Sequence, residues 1–182
     1  LARLPAADRR LVEAAAVLGE PVAAAALRTL AEAADDDADW ARRCDRLIGS
    51  GLLRVEGALL SCAHDLVRHA AYGTVGPVRR AQLHRRAALW LAEQPEPDGL
   101  VIAGHWQSAN EAQIALAWLH RGALHQKALG RFDAAMALWQ RVATESHDVA
   151  LALRAQLERA ACGFFDDLAS SRAVLDTVAA QL

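Results

Sequence analysis

Apolar residues recur at helical spacing along most of this chain, in segments punctuated by glycine, proline or acidic residues. Leu11, Ala15 and Leu18 define a first helix, opened by Leu4 and Pro5 and stopped by Gly19 and Pro21. Proline suits a first helical turn because its missing N–H would be unpaired there anyway. Ala23, Leu27 and Leu30 mark a second helix. The acidic run Asp35, Asp36 and Asp37 then supplies a cap, and a charge that complements the N-terminal end of a third helix. On that helix Trp40, Cys44, Leu47 and Ile48 fall at i, i+4, i+7 and i+8, the spacing of a buried stripe, and Gly49 and Gly51 end it.

The texture changes over 52–63. LLRVEGALLSCA is short, compatible with strands and broken at Glu56 and Gly57, which predicts a tight hairpin. Three helices followed by a hairpin is the order of a winged helix-turn-helix. From His64 to Leu91 two amphipathic helices follow, separated by Gly73, Gly76 and Pro77. Leu66, Val67, Ala70 and Ala71 line one face of the first, and Leu83, Ala87, Trp90 and Leu91 line the second. This stretch forms a seam between two modules.

Pro95 and Pro97 in EQPEPDG give the clearest linker composition in the chain. Beyond it the pattern predicts helices over about 100–107, 111–129, from Phe132 onward, 149–162 and 170–182, with Ile114, Ala117 and Trp118 on the apolar side of the second. Ala123, Gly130, Phe132, Ala135, Met136 and Trp139 fit the spacing of a tetratricopeptide repeat, in which small residues let antiparallel helices approach and aromatics fill the space beside them. A copy displaced by thirty-four residues puts Ala169 in the place of Ala135, but Phe164 in the place of Gly130 and Ala173 in the place of Trp139, so the repeat is degenerate. The expected organisation is a winged helix over 1–75, a connecting helix and linker over 76–97, and tetratricopeptide-like hairpins over 98–182. The fold class is therefore mainly α with one small β-hairpin.

Composition narrows the functional classes. The chain has 182 residues and is 54% apolar, ample for packed cores. Its 20 basic and 22 acidic residues leave a net charge of −2, against a protein devoted to holding nucleic acid by its phosphates. Cys44, Cys62 and Cys162 form no CxxC pair, and His69, His84 and His105 lack zinc-ligand spacing, so no metal site is expected. The cysteines are expected to be reduced, small, buried residues. Trp40, Trp90, Trp106, Trp118 and Trp139 read as helix-packing residues. Neither a membrane-length apolar run nor a signal peptide is present, and a cytoplasmic location is expected. The start at Leu1 rather than Met, and an end at Leu182 without the polar cap a solenoid needs, suggest a segment of a longer protein.

The string Ala63, His64, Asp65, Leu66, Val67 and Arg68, then Ala71 and Tyr72, then Arg79, Arg80, Leu83, His84, Ala87 and Leu91, resembles a stretch common in signal-transduction ATPases with numerous domains, the STAND class. It is most similar to large ATP-binding LuxR-type transcriptional regulators, which place a P-loop ATPase module first, a winged helix next and tetratricopeptide-like helices after it. Ala103, His105, Trp106, Ala117 and Trp118 resemble the helices that follow the seam there. The resemblance implies that His64 and Asp65 correspond to the last two residues of a Met-His-Asp motif whose histidine meets a bound nucleotide in the closed state. Ala63 replaces the Met. An imidazole can donate a hydrogen bond to a phosphate oxygen, and Asp65 would fix its direction by capping the helix. The competing reading is a helix-start histidine satisfied by backbone.

The same resemblance implies ATP or ADP on the full-length protein, with no cofactor held by this segment, and an upstream ATPase module as partner. A protein or small inducer would engage the helical repeats. Lys127, the only lysine, lies in LHQKALG without the glycines or hydroxyl of a phosphate loop, and no nucleophile elbow or paired Cys and His is present. The expected role is a non-catalytic regulatory and protein-interaction segment. One alternative is a DNA-binding winged helix using Arg42, Arg43 and Arg46, disfavoured by Asp37, Asp39, Asp45 and the acidic hairpin residue Glu56. Another is the regulatory module of a nucleotide cyclase or Ser/Thr kinase. Arg79, Arg80, Arg85 and Arg86 are expected to form a solvated face.

Overall fold

In a computed structural model the described residues are 3–33 and 36–163, together with positions 172 and 176. The chain divides into two compact units, Leu1–Trp90 and Leu91–Leu182. Both are helical, and a small three-stranded antiparallel sheet lies in the first.

The first unit runs α1 (Ala6–Leu18), β1 (Val22–Ala23), α2 (Ala24–Leu30), α3 (Asp37–Gly49), β2 (Leu53–Glu56), β3 (Leu59–Cys62), α4 (Asp65–Thr74) and most of α5 (Pro77–Ala92). This is the element order of a winged helix, with two further helices. The sequence predicted two strands; a third, β1, pairs with β3 at Val22↔Leu60 and Ala23↔Leu59, so Ala23 lies on a strand and is exposed instead of starting the α2 stripe. Two residues are too few for alternation to register. The hairpin turns at Gly57 and Ala58, where Gly57 takes φ 62° at the first turn position, as a type II′ turn requires.

α1 is the centre of this unit. Leu11, Val12, Ala14, Ala15, Ala16, Val17 and Leu18 are all buried, so the helix is apolar on every side rather than along the one expected stripe. Alanines make that possible by letting neighbours approach on several faces. Leu27, Leu30, Trp40, Cys44, Leu47, Leu53, Leu60, Ala71 and Ala87 complete the core. α3 begins as expected, with the Asp36 carboxylate accepting the Asp39 N–H at 2.8 Å. The face expected on α4 is different: Leu66 is 83% exposed and Ala70 is exposed, whereas Ala71 is buried with Val67 and Tyr72 beside it.

The second unit stacks α6 (Gly99–Ser108), α7 (Ala112–Ala128), α8 (Phe132–Glu145) and α9 (Val149–Gly163), each packed on the next. The turn after α6 and the turn after α7 share one geometry. Asn110 and Gly130 take positive φ, and the next N–H reaches back five residues, Glu111 to the Trp106 carbonyl and Arg131 to that of Gln126, both at 2.9 Å. The same closure ends α2 at Glu32 and α3 at Gly51. The buried side of α7 is Ala115, Leu116, Leu119, Gly122 and Ala123, which corrects the expected stripe: Ile114 and Ala117 are exposed and Trp118 is half-buried. On α8, Ala135, Trp139 and Val142 are buried and Phe132 is half-exposed. The expected repeat copy at Phe164, Ala169 and Ala173, and the helix over 170–182, lie outside the described residues. Among the described residues no helix is long and apolar enough to cross a membrane.

Candidate functional site

The β3–α4 junction is fixed by its backbone. After Cys62 the Ala63 N–H closes on the Leu52 carbonyl at 3.1 Å. His64 is extended at φ −148° and ψ 155°, and its carbonyl accepts the Arg68 N–H at 3.0 Å to begin α4. His64 is thus the cap position itself, but its ring caps nothing and is exposed. The expected capping role of Asp65 is not found. Its side chain, 87% exposed, meets Arg68 Nε at 3.4 Å, and its main-chain carbonyl lies 2.8 Å from His69 Nδ1. A first-turn carboxylate drawn to an arginine three residues on is not aimed at the orphan N–H groups. The dipeptide therefore presents two outward polar side chains from a hydrogen-bonded main chain.

The hinge after α4 is held by arginines: of the expected solvated face, Arg85 and Arg86 are exposed, whereas Arg79 and Arg80 are half-buried and make internal contacts. Arg80 donates through Nη2 to the carbonyls of Tyr72 at 3.1 Å and Val75 at 2.9 Å, with its guanidinium 4.3 Å from the Tyr72 ring centre. Arg79 Nε binds Glu13 at 3.0 Å, and Arg86 pairs with Glu32. Tyr72 Oη lies 2.9 Å from Nε2 of buried His84.

The face of α3 that would read DNA is similarly committed. Asp8, 2% exposed on the first turn of α1, accepts Arg46 Nε at 3.1 Å and Nη2 at 2.8 Å, a two-point pairing, and has Arg43 Nε at 3.4 Å. The Asp8 carboxylate raises the Arg46 pKa, chiefly through these hydrogen bonds. Arg42 pairs with Asp39, and Arg28 reaches Asp37 at 2.6 Å. In the wing, Arg54 and Glu56 pair at 3.0 Å.

Other chemistry-bearing groups are distributed rather than convergent. Burial pushes the Cys62 thiol up to about 11, with Arg68 opposing weakly, so it is a poor nucleophile. Cys44 is buried, Cys162 half-buried, and all three cysteines are free. Lys127 lies within α7 and pairs with Glu158 of α9 at 2.8 Å, a helix-to-helix tie. Burial lowers the pKa of His105 on α6 and of His120 on α7, where Glu158 opposes the shift and Arg154 adds to it. Among the described residues no cluster of three or more His, Cys, Asp or Glu side chains is placed to hold a metal.

Sequence reasoning missed two hubs, Asp8 and Glu13. Their signal was available: two acids inside a helix otherwise rich in buried alanine, which must be paired if they are buried. Comparison with family models, curated proteins and solved structures found no match to this chain.

Proposed function

We propose that this chain is a non-catalytic regulatory and protein-interaction segment of a multidomain STAND-type ATPase, in a cytoplasmic regulator of transcription. The observation that carries this reading is the outward, rigidly mounted His64 and Asp65 immediately after a winged-helix hairpin, in a chain that continues into stacked antiparallel helices. A histidine so placed is suited to contact a nucleotide phosphate held by an upstream ATPase module, and the stacked helices offer a surface to a protein partner or inducer. Any ligand that prefers the open arrangement would shift the switch by its differential affinity alone.

The pairing of Arg43 and Arg46 with Asp8, and of Arg42 with Asp39, weighs against the DNA-binding alternative, because phosphate contacts would have to compete with carboxylates already in place. A nucleotide-retention assay tests the proposal. The complete gene product lacking residues 1–90 should release bound nucleotide faster than the intact protein, and equal release rates would contradict it.

A further inference from the structure

One cleft in the first unit carries more positive charge than its own structure neutralises. It has a volume of about 470 Å³ and lies between α1 and the start of α5, lined by Arg9, Arg10, Glu13, Thr74, Gly76 and Arg79 among others. This volume is within the range of small-molecule pockets. Glu13 is the single acid among the described residues that line it. Its side chain is 8% exposed and is shared by Arg79 Nε at 3.0 Å and Arg9 Nε at 3.6 Å. Arg10 makes no ion pair among the described residues. Among the described residues three arginines thus line the cleft with one carboxylate, a local excess of two positive charges.

Each guanidinium has five N–H donors, and one carboxylate cannot occupy those of Arg9 and Arg79 together. The Thr74 hydroxyl is already committed, donating to the Ala71 carbonyl at 2.7 Å, so the guanidinium groups are the main source of free donors. α5 starts at this cleft, and its orphan first-turn N–H groups add partial positive charge to the same region.

We propose that this cleft binds a small organic dianion, of the phosphate-monoester or dicarboxylate type, across Arg10 and the Arg9–Glu13–Arg79 cluster. Guanidinium forks match the geometry of both anions, and neutralising the two excess charges relieves the repulsion among the three arginines. Such a ligand would join α1 to the α4–α5 hinge. It would make the first unit a sensor of a small metabolite as well as a partner of an ATPase module.

The test is calorimetric titration of the chain with inorganic phosphate and, separately, with succinate, each against sodium chloride at equal ionic strength. Saturable 1:1 binding of at least one anion, weakened roughly tenfold or more in Arg10→Gln, is the expected result. Arg42→Gln, on α3, should bind as the unaltered chain does. Which anion binds more tightly distinguishes the phosphate from the carboxylate source. If Arg10→Gln fails to fold, Arg9→Gln is read in its place. Binding no stronger than that of chloride, or equal binding in the cleft variant and the unaltered chain, overturns the proposal.

Discussion

A Cβ on Gly99 would lie 2.7 Å from the backbone nitrogen of Gly122 and 2.8 Å from the Trp118 carbonyl oxygen, so α6 and α7 approach backbone to backbone at this point. Gly122 in turn receives the Leu100 side chain, which a Cβ would meet at 2.4 Å. Neither backbone contact can be relieved by turning a side chain. Gly99→Ala should therefore force the two helices apart and cost about 1–3 kcal/mol, as overpacking does. Thermal unfolding should record it as a fall of several degrees in Tm, whereas Gly104→Ala, where a Cβ meets nothing within 4 Å, should not lower Tm.

This pair also explains what the sequence concealed. Bulk points to Ile114 and Trp118 as the apolar side of α7, but the surface that packs combines Leu116 and Leu119 with Ala115, Gly122 and Ala123, and the value of those three lies in what they lack. Periodicity sees hydrophobicity and not closeness of approach. Where large residues carried the packing, as with Trp40, Cys44 and Leu47 on α3, the stripe was legible. The hairpin was legible from Glu56 and Gly57, and α9 from its uninterrupted pattern. β1 was too short to show; Asp8 and Glu13 stood out as acids within an alanine-rich helix, but their partners lie 38 and 66 residues away, distances that no local pattern encodes.

Acid should destabilise the second unit through His105. Burial lowers its folded-state pKa below the ordinary histidine value, so the unfolded chain takes up a proton first as pH falls. The resulting loss of stability begins near the unfolded pKa of about 6.5 and grows until the folded pKa is passed. Denaturant midpoints measured from pH 8 to pH 5 should fall less steeply in His105→Gln than in the unaltered chain. Parallel curves would show that another group governs the loss.

Asp8→Asn removes the carboxylate that Arg46 and Arg43 share. The variant should bind duplex DNA more tightly than the unaltered chain at low salt, with a log–log salt slope steeper by up to about 2, one counterion for each arginine that gains a phosphate. Fluorescence anisotropy across a salt series reads both quantities. Tight, steeply salt-dependent binding by the unaltered chain would instead favour a DNA-binding winged helix.

Arg80→Met keeps the aliphatic stem of Arg80 but removes the donors that hold the Tyr72 and Val75 carbonyls at the end of α4. Charged hydrogen bonds of this kind contribute about 1.5–3 kcal/mol. The expected outcome is a lower denaturant midpoint together with faster proteolytic cleavage near residues 73–77. An unchanged cleavage rate would mean that the hinge is held by its packing alone.

The proposed function requires His64 to face a nucleotide held by an upstream ATPase module. The most direct measurement is the amount of ADP that co-purifies with the complete gene product bearing His64→Ala, a substitution at an exposed side chain that caps nothing in its own unit. Reduced ADP occupancy at unchanged thermal stability of this segment is the predicted result. Full occupancy, equal to that of the unaltered protein, would contradict it.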